Sequence, residues 1–248
     1  SYVFFSVLIL FITLPLAAIF HRDLPEQKNT VADHPFLHLE KKHTKKEKSF
    51  PKNIHNDPVN FFSFRFYLFL FLFLPIAYVF TVLLVHFPAH LTDHGITNLS
   101  SAGIFATWGA SLIVGYLISS ISDYYGRTPT FLTGSLLGVI SMFVIGKYNI
   151  TFAPWSIYLL TITNGIALGL IRSTASAIMA DHFSGEKFGK TNGIAMCLFA
   201  IFGGFGAWFT GFLYDIHLNY YWGFSIASLM FIISGVSALI LSTQKKTN

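Results

Sequence analysis

VGYLISSISDYYGRTPTFLTG, residues 114–134, breaks an apolar run at Asp123, turns through Gly126 and Arg127, and resumes as a second apolar run. The pattern predicts a tight loop between two membrane helices. Helices joined by only a few residues need a glycine for the reversal, and Gly126 followed by Pro129 supplies a turn and a new helix start. Asp123 and Arg127 stand four apart, a spacing that pairs charges across one helical turn or braces neighbouring helix ends at the lipid surface. A glycine and a few charges are also what any short cytoplasmic loop carries.

The composition around this loop agrees with a membrane setting. Of the chain, 53% is hydrophobic, 17% aromatic and only 11% charged, with 28 Phe, which no ordinary soluble domain shows. The formal charge of +5 does not point to nucleic acid, because the basic residues sit between apolar runs, where they set membrane orientation. The one cysteine, Cys197, lies inside an apolar run and excludes an internal disulfide framework.

Residues 1–20 are apolar over about the length that crosses ~30 Å of hydrocarbon. They lack the basic start and small-residue cleavage site of a secretory signal, so they are expected to be a transmembrane helix whose predecessors are missing. Residues 21–61, with Arg22, Lys28, Lys41, Lys42, Lys45, Lys46, Lys48 and Lys52, are too polar to bury a core and are expected to form a mobile cytoplasmic linker. The irregularly spaced His21, His34, His38, His43 and His55 there are a weak metal signal. Residues 62–248 carry six apolar runs, at 64–86, 102–121, 130–146, 155–180, 192–213 and 222–242, each near the ~20 residues a spanning helix needs. The expected fold class is therefore an all-α membrane protein with six helices plus one preceding helix.

Placing the linker and the C-terminus in the cytoplasm puts 14 of the 16 basic residues on that side, with Lys147 outside and Arg172 within a span. The triplets at Asn98 and Asn149 then fall on outer loops. A multi-pass protein of the cell membrane, with the bilayer as its first partner, is the expectation.

SSISDYYGRT resembles the loop signature of the major facilitator superfamily, G-x-L-x-D-R-x-G-R-K/R, found between the second and third helices of each six-helix half. Asp123, Gly126 and Arg127 match at the right spacing, whereas Ser119, Tyr124 and Thr128 replace the first glycine, the arginine and the last base. ADHFSGEKFGKTNGIA, from Ala180 to Ala195, and FGGFGAWFTGFLYDIHLNYYWGF, from Phe202 to Phe224, are similar to the region around the tenth to twelfth helices of monocarboxylate-transporter-like and related anion permeases. The resemblance implies the C-terminal half of a permease, with residues 1–20 ending the N-terminal half and that missing half as a partner. It implies secondary transport of a small polar or anionic solute by alternating access, with symport of protons in view. The arginine that carboxylate transporters usually carry in the eighth helix is absent, since Gly115 and Tyr116 occupy that region.

The candidate substrate-binding or coupling residues are Arg172, Asn164, Tyr116, His86 and His90; Asp123, Gly126 and Arg127 form the loop signature. Arg172 lies nine positions before Asp181, about 13 Å into its span, where a charge costs at least ~2.5 kcal/mol and needs a partner, a substrate anion or an escape to the surface. Thr161, Gly165, Gly169, Arg172 and Ser176 share one helical face, small and polar like a cavity lining. Glycines of the tenth and eleventh helices suit close packing first and flexing second. His86, His90 and His94, beside Asp93, recur every four residues at the outer end of the first span after the linker. Solvated side chains, proton coupling and a metal pair interrupted by Pro88 are the three readings of that row.

No cofactor or resident metal is called for. A histidine-box membrane enzyme would need clusters on inner loops or a nucleophile beside a base, and neither is found; a non-transporting truncated or split half-permease is the other alternative. The topology has a direct check. Protease added outside sealed cells leaves the Lys41–Lys52 segment intact and cuts it once the membrane is permeabilised; cleavage from outside would invert the topology.

Overall fold

The computed structural model describes residues 63–148, 154–183 and 186–245, with Phe11 and Pro15 as isolated positions. The helix expected over 1–20, the linker over 21–61 and Asn149 therefore lie outside the described residues. The chain divides into two units, and the second, Asp57–Asn248, contains everything that follows.

Six long helices occur among its described residues: α1 Phe64–Asp93, α2 Asn98–Ile118, α3 Arg127–Gly146, α4 Pro154–His182, α5 Glu186–His217 and α6 Tyr221–Lys245. All six are long and apolar enough to cross a membrane, and no strand occurs among the described residues. A 3-10 turn at Ser119–Ile121 and a four-residue helix at Ser122–Tyr125 carry α2 into the loop. Ser63 caps α1 by accepting from the Phe66 amide at 3.3 Å, and Thr97 caps α2 by accepting from Ser100 at 3.3 Å.

The six spans match the hydropathy in number and place, but α5 begins six residues before its expected start, α2 begins four before, at Asn98, and α1 continues beyond its expected end. The helix runs through Pro88 to Asp93 instead of stopping near His86. A proline inside a helix strands one acceptor, whereas a broken helix strands several, and in hydrocarbon the smaller loss wins. Ser101 Oγ donates to the Pro88 carbonyl at 3.1 Å, fastening this end to α2.

The helices lie side by side in the order α2, α4, α3, α6, α1, α5. α1 is the most buried, with Leu72, Val79, Leu83 and Phe87 fully enclosed, whereas α2 and α5 leave most of their length exposed. Polar side chains tie neighbours to backbone: Ser234 Oγ donates to the Leu72 carbonyl at 2.5 Å, joining α6 to α1, and Thr81 Oγ1 donates to the Gly203 carbonyl at 2.7 Å, joining α1 to α5.

The closest approach is between α2 and α4. A Cβ built on Gly165 would lie 2.6 Å from the Trp108 carbonyl oxygen, and one on Gly169 would sit 2.7 Å from the Gly115 Cα and collide with the Leu112 carbonyl. Backbone meets backbone there, as helices do when apolar burial gives no advantage over lipid. On α5, Gly203 faces Thr81 and Gly206 faces the Tyr78 ring, but Gly204 has open space around it.

Substitution at the contact follows directly. Gly165→Ala and Gly169→Ala are each expected to destabilise the fold by about 1–3 kcal/mol through overpacking, read as a lower unfolding midpoint in detergent. Gly204→Ala, in open space inside a helix, leaves the midpoint the same or slightly higher; three equal midpoints would contradict the close contact.

Candidate functional site

Arg172, three residues beyond Gly169 on α4, is half-buried. Its guanidinium carbon lies 4.6 Å from the centre of the Phe80 ring on α1 and 5.1 Å from that of Phe199 on α5. Both are cation–π contacts, attractive because the ring face is electron-rich. Among the described residues no carboxylate pairs with Arg172 and no acceptor takes its N–H groups.

The face expected to line a cavity divides in two. Gly165 and Gly169 are pressed onto α2, and Thr161 is fully buried with its hydroxyl on the Ile157 carbonyl at 2.6 Å, so these three pack between helices. Helical periodicity assigns residues to a face without saying what covers it, which is why the lining reading fails for them. Ser176 is exposed, one turn C-terminal to Arg172.

Asn164 is fully buried and engaged by protein on both sides. Its Oδ1 accepts from Trp108 Nε1 at 3.2 Å, and its Nδ2 donates to Ser141 Oγ at 3.0 Å, so one amide links α4 to α2 and α3. The Trp108 ring in turn lies 6.0 Å from Phe80 and is stacked at 5.3 Å on Phe105. Tyr116 is half-buried on α2, with its backbone nitrogen against Gly169.

The histidine row also divides. His86 Nε2 donates to the Ala207 carbonyl at 2.8 Å, joining α1 to α5. His90 is almost fully buried, not solvated: Nε2 donates to the Ile145 carbonyl at 3.0 Å, Phe224 lies 4.8 Å from its ring, and Nδ1 has no partner among the described residues. His94 lies 4.5 Å from the His90 ring and donates from Nδ1 to the His90 carbonyl at 2.8 Å. Beyond them Tyr214 Oη donates to Asp93 at 2.8 Å and stacks on Tyr220 at 4.3 Å. Burial, with Asp93 adding to it, pushes the Tyr220 phenol up to about 12, so it stays neutral at ordinary pH. Among the described residues no group of three or more His, Cys, Asp or Glu is placed to hold a metal ion.

Between α2 and α3, Gly126 adopts φ +98°, a conformation glycine reaches without strain, and lets the chain reverse into α3. Arg127 then pairs with Asp123 at 2.5 Å, donates to Ser122 Oγ at 2.8 Å and lies 3.7 Å from Asp181 at the end of α4. The loop residues thus brace the α2–α3 turn against α4. These groups are partly exposed, so each pair contributes no more than about 1 kcal/mol.

Sequence reasoning missed Phe80, Phe199 and Trp108. Nothing separates the two phenylalanines from the other 26 of the chain's 28, because their role depends on which helices adjoin α4.

A sequence model described as Major Facilitator Superfamily matches residues 107–248, a stretch that includes the loop, Arg172 and all of α3 to α6. No curated protein matches the chain.

The Asn164 bridge is open to test by a shape-conserving change. Asn164→Leu leaves the Trp108 N–H without its acceptor and is expected to cost about 1–3 kcal/mol of stability, read as a lower unfolding midpoint in detergent. An unchanged midpoint would remove Asn164 from the fold's support.

Proposed function

The chain belongs to the major facilitator superfamily, and on that premise we propose that it is the C-terminal half of a secondary active transporter that moves a small polar or anionic solute by alternating access. Such carriers rock one helical half against the other about a midplane site. The observation that carries the anionic choice is Arg172. Its charge is about 13 Å into a membrane span, it is only half-buried, and among the described residues no acceptor takes its N–H groups. A guanidinium presents a planar fork of donors that matches a carboxylate, so an anionic solute completes a site that the rings leave open.

The other residues fall into supporting roles in this proposal. Asn164 holds Trp108 beside Phe80, Tyr116 borders the α2–α4 contact next to Gly169, and Asp123, Gly126 and Arg127 brace the inner turn. His86 and His90 tie α1 to α5 and α3 near the outer end. The buried, unpartnered Nδ1 of His90 supports proton symport through this pair: a proton taken up there is best accommodated when α1 separates from its neighbours. The exposed lengths of α2 and α5 support assembly with a further helical half, in the cell membrane, with the 21–61 linker and the C-terminus in the cytoplasm. The same exposed faces also suit a split half-permease that is inactive by itself.

Uptake by the full-length protein in proteoliposomes tests the proposal. With an imposed proton gradient and labelled acetate, lactate, benzoate, succinate, alanine and glucose, at least one anion is expected to enter. Arg172→Ala lowers its uptake about tenfold or more without loss of folded protein, the size of one lost charge-assisted interaction. Undiminished anion uptake by Arg172→Ala would overturn the assignment.

A further inference from the structure

We propose that Phe80 and Phe199 are positioning residues that hold the Arg172 guanidinium ready for the solute while leaving its N–H donors unused. The proposal rests on Arg172 being the solute anchor. α4 packs on α2 and α3 and makes only slight backbone contact with α1 and α5, so the two rings reach Arg172 across a gap between helices. Each ring also has an aromatic neighbour of its own. Phe80 lies 6.0 Å from Trp108, itself fixed by the 3.2 Å bond to Asn164, and Phe199 lies 5.1 Å from the buried Phe73, which stacks on Phe69 at 5.6 Å.

The chemistry of this arrangement differs from that of an ion pair. A carboxylate partner would hold the arginine by occupying its N–H groups, and a solute would then have to displace it. A phenylalanine ring attracts the cation through its π face and accepts none of those hydrogens in the plane of the fork. Two rings from different helices therefore restrict a long side chain that is otherwise costly to immobilise, and every donor remains for an incoming anion. Weakening the rings frees Arg172 in the empty carrier, so binding suffers before turnover does.

Graded fluorination of Phe80 and Phe199 in the full-length protein tests this, because each fluorine weakens the ring face with little change in shape. The readout is uptake of whichever anion of the panel above Arg172→Ala abolishes. KM is expected to rise stepwise, by about threefold or more with trifluorophenylalanine at either position, while the maximal rate stays within about twofold. Phe80→Leu and Phe199→Leu raise KM at least as far, and Phe80→Trp restores it. A ligand-free measurement runs in parallel: the Nε–Hε resonance of Arg172, identified by its loss in Arg172→Lys, is rigid in the native protein and becomes mobile in Phe80→Leu with Phe199→Leu. A KM flat across the fluorine series, or an equally rigid resonance in the double variant, overturns the positioning role and leaves Arg172 as anchor untouched. Uptake that survives Arg172→Ala overturns both.

Discussion

In hydrocarbon a helix gains almost nothing by hiding an apolar side chain from lipid, and it cannot leave a backbone polar group without a partner. That constraint governs the whole bundle. It keeps α1 helical through Pro75 and Pro88, and it makes the α2–α4 interface a meeting of backbones at Gly115, Gly165 and Gly169. It also accounts for the single hydroxyls that carry so many of the links between helices, such as Ser234 on the Leu72 carbonyl and Thr81 on that of Gly203. Shape at small residues and a few short hydrogen bonds do here what a hydrophobic core does in water.

Against that background Arg172 is the one basic residue deep in a described span. A charge at mid-helix costs roughly 2.5–3.5 kcal/mol on insertion scales, and a cation–π contact gives back about 0.5–2 kcal/mol. Two rings therefore approach the cost without extinguishing the charge. A permanent ion pair would stabilise the bundle more and leave nothing for a solute. The Asn164 bridge is the contrasting case: it is polar, equally deep and saturated by Trp108 and Ser141, which suits a part that must not change.

Much of this was legible before any helix was placed. Hydropathy located the six spans, counting from Asp181 located the depth of Arg172, and Gly126 with Asp123 and Arg127 marked the turn. What a linear pattern cannot carry is adjacency. Thr161, Gly165 and Gly169 share a face, but whether that face meets water or α2 depends on which helix is its neighbour. The same gap hid the burial of His90, whose position near a span end suggested solvent until α3 and α6 closed over it. It hid Phe80 and Phe199 as well, since 28 phenylalanines in an apolar chain give no reason to single out two. The arginine that carboxylate transporters usually carry in the eighth helix was absent, and the one charge deep in a span lay on α4 instead, where its burial cost made it visible.

The central claim is that the position of Arg172 belongs to a site open in turn to the two faces of the membrane. Arg172→Cys in the full-length protein, with the exposed Cys197 and every other cysteine of that protein replaced by serine, puts one reactive thiol there. Membrane-impermeant thiol reagent applied to sealed vesicles of each orientation then reports access. The account predicts modification from both faces, slowed by a transported anion's non-reactive analogue wherever the remaining site still holds one. Modification from neither face, or from one face under every condition, would contradict it.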